Sequence, residues 1–112
     1  MVSNYIPRRG DVVWLQFDPQ AGHEQRGVRP ALVLSPVEYN RKTGLMIACP
    51  ITSKSKGYPF EVVLPGKLVV AGVVLADQLK NLDWAARKAE FKCTVPAEVL
   101  EEVLGKAATL IQ

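Results

Sequence analysis

The chain runs from a polar loop directly into an apolar segment, and this stretch reads Gly22-His23-Glu24-Gln25-Arg26-Gly27-Val28-Arg29-Pro30-Ala31-Leu32-Val33-Leu34. Its glycines and charged residues predict a loop, and the four apolar residues at its end predict a buried strand. Arg29 therefore stands at the strand entrance, where a rigid scaffold can aim its guanidinium group, whereas Glu24 lies on the loop. A fixed guanidinium beside a carboxylate on a movable loop suits cleavage of a phosphodiester.

Short strands separated by turns are predicted on both sides of this stretch. Proline and glycine punctuate the chain between apolar or alternating segments, which is typical of strands. We expect strands at residues 12–17, 31–34, 45–51, 60–64, 72–76, 77–82 and 89–94, and short helical turns at 37–42 and 83–87. With one closing helix, the pattern favours a mainly β fold, a small antiparallel barrel or half-barrel that forms a single domain over residues 1–112.

The C-terminal segment has the periodicity of an amphipathic helix. Pro96 suits the first helical position, and acidic residues follow it near the positive end of the helix dipole. One apolar stripe contains Val99, Leu100, Val103, Leu104, Ala107, Leu110 and Ile111. The stripe predicts packing against the sheet, and its last two residues leave open a contact in a dimer.

Composition predicts a globular domain that stays inside the cell. The chain has 112 residues, 48% of them hydrophobic. Its apolar runs are much shorter than a membrane span, and the N-terminus lacks the apolar region of a signal peptide. We therefore expect a cytoplasmic protein without membrane contact, in which Cys49 and Cys93 are small buried thiols. The single histidine and the cysteine spacing do not suggest a zinc site.

The positive charge is concentrated in the first half of the chain. Residues 1–60 hold eight Lys and Arg against four Asp and Glu, whereas residues 61–112 hold six against seven. This asymmetry favours an anionic partner, although an ordinary solvated surface also accounts for an excess of this size.

A second polar segment follows the third predicted strand and reads Thr52-Ser53-Lys54-Ser55-Lys56-Gly57-Tyr58. Hydroxyl and ammonium groups bind phosphate oxygens, and an aromatic side chain can stack on a base. The combination suits single-stranded RNA better than a duplex. The alternatives are a solvated hairpin loop for Lys54 to Lys56 and a partly buried anchor for Tyr58.

Several segments, taken in order, closely resemble the MazF-type toxin endoribonucleases of bacterial type II toxin–antitoxin systems. The resemblance covers nearly the whole chain, and the set of segments is far more specific than any single one. The matching pieces are Gly10 to Trp14, Phe17-Asp18-Pro19, Gly22 with Glu24-Gln25, Gly27 to Ser35, Pro50 with Thr52, Ser55 to Val63 and Val74 to Gln78.

The resemblance implies a fold, an activity and partners. The fold would be the SH3-like barrel shared by MazF, Kid and CcdB toxins, assembled as a homodimer. The activity would be cleavage of single-stranded RNA at a short sequence without a metal or other cofactor, leaving 2′,3′-cyclic phosphate and 5′-hydroxyl ends. Such a toxin inhibits translation and growth, and an acidic MazE-like antitoxin would silence it.

The family's key residues fall on Glu24, Arg29 and Thr52. Arginine stays protonated and can stabilise the charged phosphate, so Glu24 is the chemically reasonable base. His23 departs from the family pattern, in which a small hydroxyl residue is frequent. RNA-binding candidates are Phe17, Gln25, Lys54, Ser55, Lys56, Tyr58, Asp77, Gln78 and Lys80. Phe17 as a core residue and Asp77 as a turn cap are the structural alternatives.

Two other functions compete with an endoribonuclease. A CcdB-like gyrase inhibitor would share the fold, but such proteins lack the Glu–Arg–Thr set and rely on a Trp-Gly-Ile tail, whereas this chain ends in Thr109-Leu110-Ile111-Gln112. A noncatalytic RNA-binding barrel would need the basic segment around Lys54 and Lys56 but not Glu24. The sequence does not reveal the RNA motif that is cleaved.

Overall fold

The computed structural model describes residues 4–16 and 28–112. The proposed roles of Phe17, His23, Glu24 and Gln25 therefore lie outside the described residues. The elements, in chain order, are β1 (Asp11–Gln16), β2 (Val28–Val33), α1 (Val37–Thr43), β3 (Leu45–Thr52), β4 (Glu61–Val63), β5 (Val73–Leu75), β6 (Lys80–Asp83), β7 (Glu90–Thr94) and α2 (Ala97–Ala108).

The strands form one antiparallel sheet in the order β4-β5-β3-β2-β1-β7, with β6 also paired to β3. The mainly β architecture with a C-terminal helix is thus confirmed. Within residues 4–16 and 28–112, β4 and β7 end the sheet without pairing to each other. Of the two predicted alternatives, the open half-barrel is the one that forms.

Strand β3 is the hub of the sheet, because three strands pair with different parts of it. Its first half pairs with β6, its middle with β2, and Ile51 and Thr52 pair with β5. Because β5 and β6 lie end to end along β3, the chain between them must accommodate a change of register. Asp77 and Gln78 form this turn, in which the Gln78 N–H donates to the Leu75 carbonyl at 3.0 Å. The prediction that both residues belong to a strand at 77–82 was wrong for this reason.

The core lies on both faces of the central strands. Val12 and Leu32 pack on one face with α2, whereas Val13 and Val33 pack on the other face with Met46. Strands that are buried on both faces read as continuous apolar runs, as these do. Leu32 is fully buried, and truncating such a leucine to alanine typically costs about 2–5 kcal/mol.

Helix α2 covers one face of the sheet. Val99, Val103 and Ala107 are buried, and Leu100 and Leu104 pack against the same core. Pro96 is the N-cap rather than the first helical residue, so the predicted start was one residue early. Leu110 and Ile111 lie beyond the helix and are exposed. Neither helix in the described part of the chain has the length and apolar character needed to cross a membrane.

Candidate active site

Arg29 and Thr52 come together because β2 and β3 are paired in one register. Ala31 pairs with Pro50 at the end of this ladder, and Arg29 lies two residues before Ala31 whereas Thr52 lies two residues after Pro50, so both belong to the same end of the β2–β3 pair. Arg29 is exposed at the start of β2, where it pairs with Leu15 of β1.

Both residues line an open depression of about 550 Å³. Its walls are formed by the ends of β1, β2 and β3 and by the segment before β5. The other lining residues are Trp14, Val28, Pro30, Ile51, Ser53, Lys54, Val69, Val70 and Ala71. Sequence reasoning missed the contribution of Trp14 and of residues 69–71, because only the strand pairing brings them next to Arg29.

A second depression, of about 300 Å³, adjoins the first one. It is lined by Thr52, Lys54, Lys56, Tyr58, Glu61, Leu75, Asp77 and Gln78. Thr52 and Lys54 line both depressions, so the two are adjacent, and together we call them the central groove. Arg29 lies in one part of it, and the basic loop and the turn after β5 line the other.

The Thr52 hydroxyl has a defined orientation in the central groove. The backbone N–H of Lys54 donates to Thr52 Oγ1 at 3.1 Å. A hydroxyl has one proton and two lone pairs, so this contact uses a lone pair and leaves the proton as a donor. Thr52 is half-buried at the end of β3, so its hydroxyl is held at a fixed point while it remains accessible to a ligand.

The basic loop between β3 and β4 is organised around the carboxylate of Glu61, which sequence reasoning missed. Glu61 Oε1 accepts from Ser55 Oγ at 2.7 Å and from the Gly57 N–H at 3.1 Å, and Oε2 accepts from the Lys56 N–H at 2.8 Å. Hydrogen bonds from the Lys56 N–H and the Ser55 hydroxyl, followed by those from the Gly57 and Tyr58 amides, lower the pKa of Glu61. The sequence feature that could have indicated this role is the position of an acidic residue just after a basic, hydroxyl-rich loop.

The RNA-binding candidates are distributed unevenly around the central groove. Lys54, Lys56, Tyr58, Asp77 and Gln78 line it. The Tyr58 side chain is exposed rather than buried as an anchor, with 58% of its surface accessible. Among the candidates in the described part of the chain, Ser55 and Lys80 do not line the groove.

Ser55 donates its hydroxyl to Glu61, so it supports the loop instead of facing a ligand. Lys80 lies on β6 opposite Ala48, outside the residues that line the central groove.

The two cysteines differ from each other. Cys49 is buried, as predicted, and burial raises its pKa to about 12. Cys93 is only half-buried, which corrects the prediction for that residue, and burial followed by the nearby Asp11 charge raises its pKa. Both shifts favour the neutral thiol, and a neutral thiol is a poor nucleophile.

Another depression, of about 680 Å³, lies near the N-terminal segment and is lined in part by Tyr5, Asp11 and Phe91. The Tyr5 hydroxyl donates to Asp11 Oδ2 at 2.5 Å, and Asp11 also accepts from the Arg8 N–H at 3.1 Å. Burial and the Asp11 carboxylate raise the pKa of Tyr5, so its hydroxyl remains protonated. These contacts tie the N-terminal segment to β1 and do not involve Arg29 or Thr52.

Comparison with known proteins places the whole chain in one family. The family described as "PemK-like, MazF-like toxin of type II toxin-antitoxin system" matches residues 8–111. The endoribonuclease toxin MazF of Escherichia coli K12 is 53% identical over 111 residues, which cover 99% of each chain.

Solved structures agree with this relationship. A crystal structure of MazF from Deinococcus radiodurans superposes with a TM-score of 0.87 at 61% identity, covering 96% of this chain and 98% of that one. A MazE–MazF complex from the same organism gives a TM-score of 0.87 at 55% identity and covers 96% and 97% of the two chains. The chain therefore belongs to the PemK-like, MazF-like family of toxins of type II toxin–antitoxin systems, as the resemblance of its sequence segments implied.

Proposed function

We propose that this chain, an endoribonuclease toxin of its family, cleaves single-stranded RNA in the central groove with Arg29 and Thr52 at the scissile phosphate. The observation that carries the proposal is that these two residues, near the same end of the paired strands β2 and β3, line a single depression. A guanidinium and a hydroxyl at one point of an open groove are suited to an extended anionic strand.

The reaction that fits these groups is an in-line displacement at phosphorus. The RNA 2′-oxygen attacks the adjacent phosphorus, forming a 2′,3′-cyclic phosphate, and the bond to the 5′-oxygen breaks. The 2′-hydroxyl gives up a proton to a base, and the departing 5′-oxygen takes up a proton from water and leaves as a hydroxyl. The bonds between heavy atoms that form and break all lie within the RNA, so the step consumes no co-reactant.

Arg29 and Thr52 have different roles in this step. Negative charge builds on the phosphate oxygens, and the Arg29 guanidinium can meet two of them while it stays charged. The Thr52 proton, which is not used by its contact with Lys54, can be donated to the same phosphate and fixes its position. We assign the 2′-proton to Glu24 on chemical grounds, because a carboxylate can accept a proton whereas a guanidinium stays protonated.

The rest of the central groove would bind the nucleotides on either side of the scissile bond. Lys54 and Lys56 are exposed cations that line it and suit phosphates. The exposed ring of Tyr58 offers a stacking surface, which is typically worth about 1–3 kcal/mol per base. Asp77 and Gln78 lie on the turn after β5 and present a carboxylate and an amide, the groups that read base edges.

The family assignment also supports proposals about assembly and location. We propose that the chain forms a homodimer in the cytoplasm and that an acidic MazE-like antitoxin silences it. The D. radiodurans relative has been crystallised as a MazE–MazF complex, and the cationic central groove would attract an acidic peptide as it attracts RNA. The same assignment goes against the gyrase-inhibiting alternative.

One experiment tests the cleavage proposal against a noncatalytic RNA-binding barrel. A long single-stranded RNA is incubated with the protein in EDTA, and the new ends are mapped and identified chemically. We expect cuts at one short motif with 2′,3′-cyclic phosphate and 5′-hydroxyl ends, and none with Arg29→Ala at the same protein concentration. Binding without cuts, or cuts only after Mg²⁺ is added, would contradict the proposal.

A further inference from the structure

The loop between β3 and β4 carries two cations of the central groove but lies outside the β-ladders. Residues 53–59 are all exposed, so packing in the core does not hold them in place. An exposed loop of this kind samples many conformations unless specific contacts oppose its entropy. Lys54 and Lys56 need a fixed backbone if they are to present their ammonium groups to phosphates at a set spacing.

Besides the Thr52 hydroxyl, which accepts from the Lys54 N–H, the side chains of Glu61 and Lys106 provide contacts of this type. The Glu61 carboxylate accepts from Ser55 Oγ, the Lys56 N–H and the Gly57 N–H at 2.7, 2.8 and 3.1 Å. From the other side, Lys106 Nζ of α2 donates to the carbonyl oxygens of Pro59 at 2.5 Å and Glu61 at 3.3 Å. The loop is thus attached at its basic end to β4 and at its far end to α2.

The position of Glu61 is unusual for a groove that binds an anion. Its carboxylate lines the central groove beside Lys54 and Lys56, where its charge should repel phosphate. Gly57 adopts φ of +75°, a conformation that favours glycine and turns its N–H toward the carboxylate. The repulsion is tolerable if the carboxylate is needed to hold the amides of this turn.

We propose that Glu61 is a positioning residue, which fixes the loop from Lys54 to Tyr58 in the conformation that binds RNA. This deepens the proposed function of the central groove and rests on it. Glu61 acts through the backbone of Lys56 and Gly57 and through Ser55, not by contact with the reacting atoms. The negative charge of Glu61 should weaken RNA binding, whereas its hydrogen bonds to the loop should strengthen it. Because the two effects have opposite signs, a substitution can tell them apart.

The first test is the sign of the change in RNA affinity of Glu61→Gln. The variant keeps the shape and removes the negative charge, but an amide with its oxygen at the Oε1 position turns its NH₂ toward the Lys56 N–H. If Glu61 acted only as a charge, its loss would strengthen RNA binding. If it positions the loop, binding weakens although the site has become more positive.

The probe is an RNA oligonucleotide with the motif mapped in the cleavage experiment and 2′-deoxyribose at the scissile nucleotide, which prevents cleavage. We expect Glu61→Gln to raise Kd by at least about threefold, as coupling within one hydrogen-bonded network usually does. Ser55→Ala keeps the charge and removes one contact, so it should weaken binding to a smaller extent. Glu101→Gln, on the exposed side of α2, is the matched control for net charge and should leave Kd close to wild type or slightly lower.

Kinetics and amide exchange give two further readouts. On cleavable RNA, Glu61→Gln should raise KM and leave kcat near the wild-type value, because Arg29 and Thr52 are untouched. Without RNA, hydrogen exchange at the Lys56 and Gly57 amides should accelerate in Glu61→Gln while core amides of β3 stay protected. Since the exchange measurement requires no RNA, it tests whether Glu61 holds the loop even if the cleavage proposal fails.

Unchanged or tighter RNA binding by Glu61→Gln would overturn the proposal, as would unchanged exchange at both loop amides. A fall in kcat at constant KM would also overturn it, because it would assign Glu61 to the chemical step rather than to the binding loop.

Discussion

Gly72 lies against the backbone of Thr52 so closely that a Cβ atom built on residue 72 would come within 2.2 Å of the Thr52 carbonyl oxygen. Gly72 also has φ of +125°, a conformation that residues with a side chain rarely adopt. The absence of a side chain at position 72 therefore allows β5 to approach β3 at the residue that presents its hydroxyl to the central groove.

Gly72→Ala should consequently damage both stability and activity. The strained φ alone typically costs about 1–3 kcal/mol, and relief of the clash must shift Thr52 or Ser53. We expect a lower free energy of unfolding in urea and a lower kcat for RNA cleavage. The control is Gly66→Ala, since a Cβ at position 66 meets nothing within 4 Å. Equal stability and activity of the two variants would show that β5 does not position Thr52.

Arg29→Ala should abolish most cleavage while the fold remains intact. Arg29 is exposed, so its truncation leaves no cavity, whereas the loss of one preorganised donor to a transition-state charge typically costs about 10²–10³ in rate. The measurement is single-turnover cleavage alongside thermal unfolding. Arg29→Lys keeps the charge but cannot donate in a bidentate manner, so its cleavage rate should lie between those of Arg29→Ala and the wild type. A fully active Arg29→Ala protein would remove Arg29 from the mechanism.

Thr52→Ala should reduce cleavage less than Arg29→Ala does. Its hydroxyl is neutral and contributes one donor, and neutral hydrogen bonds are weaker than charge-assisted ones. The comparison requires both variants and the double variant. Because the two residues are expected to act on the same phosphate, their effects should not add. Simple additivity of the two losses would indicate that they act on different groups.

The cysteines should be slow to react with alkylating agents at neutral pH. Burial raises the Cys49 pKa to about 12, so at pH 8 only about one thiol in 10⁴ is a thiolate. Cys93 is more accessible and should be alkylated first, as peptide mapping by mass spectrometry would reveal. Because burial disfavours the thiolate only in the folded protein, Cys49 adds no electrostatic cost at neutral pH, and the native state should lose stability as the pH rises from 9.0 toward 12. Preferential labelling of Cys49 in the native protein would contradict its buried position.

Light scattering should return about twice the chain mass of 12.3 kDa. The expectation rests on the family assignment and on apolar side chains that the sheet does not cover, among them Leu110 at 48% and Ile111 at 83% exposure. Exposed apolar residues of this kind often mark contacts between proteins. A monomer at micromolar concentration would refute the proposed dimer.

Reversal of charge in the basic loop should weaken RNA and an acidic antitoxin peptide together. Lys54 and Lys56 are exposed and line the central groove, so Lys54→Glu with Lys56→Glu removes attraction for any anion that lies there. Affinities for both ligands should fall, most strongly at low salt, where screening is weakest. Peptide binding that survives while RNA binding collapses would show that the antitoxin does not cover this surface.

Local patterns in the sequence determined the elements and the family of this protein. Alternating and apolar runs identified the central strands within one residue for β1 and β3, whereas β2 begins three residues before the predicted start. The stripe from Val99 to Ala107 identified α2, because periodicity reflects which side of a local element faces a core. The sequence also located Arg29 at a strand entrance, since the turn residues before it and the apolar residues after it are adjacent in the chain.

Only the tertiary structure decided how distant segments meet. The pairing of β2 with β3 brings Arg29 and Thr52 to the same end of the two strands, and the pairing of both β5 and β6 with β3 places Asp77 in a turn that lines the central groove. Gly72 matters only because β5 lies against β3. Glu61 is an ordinary acidic residue in the sequence, but in the fold its carboxylate accepts hydrogen bonds from Ser55, Lys56 and Gly57 of the loop. Such roles depend on pairings between residues far apart in the chain, and those pairings are set by the energy of the whole core rather than by any local preference.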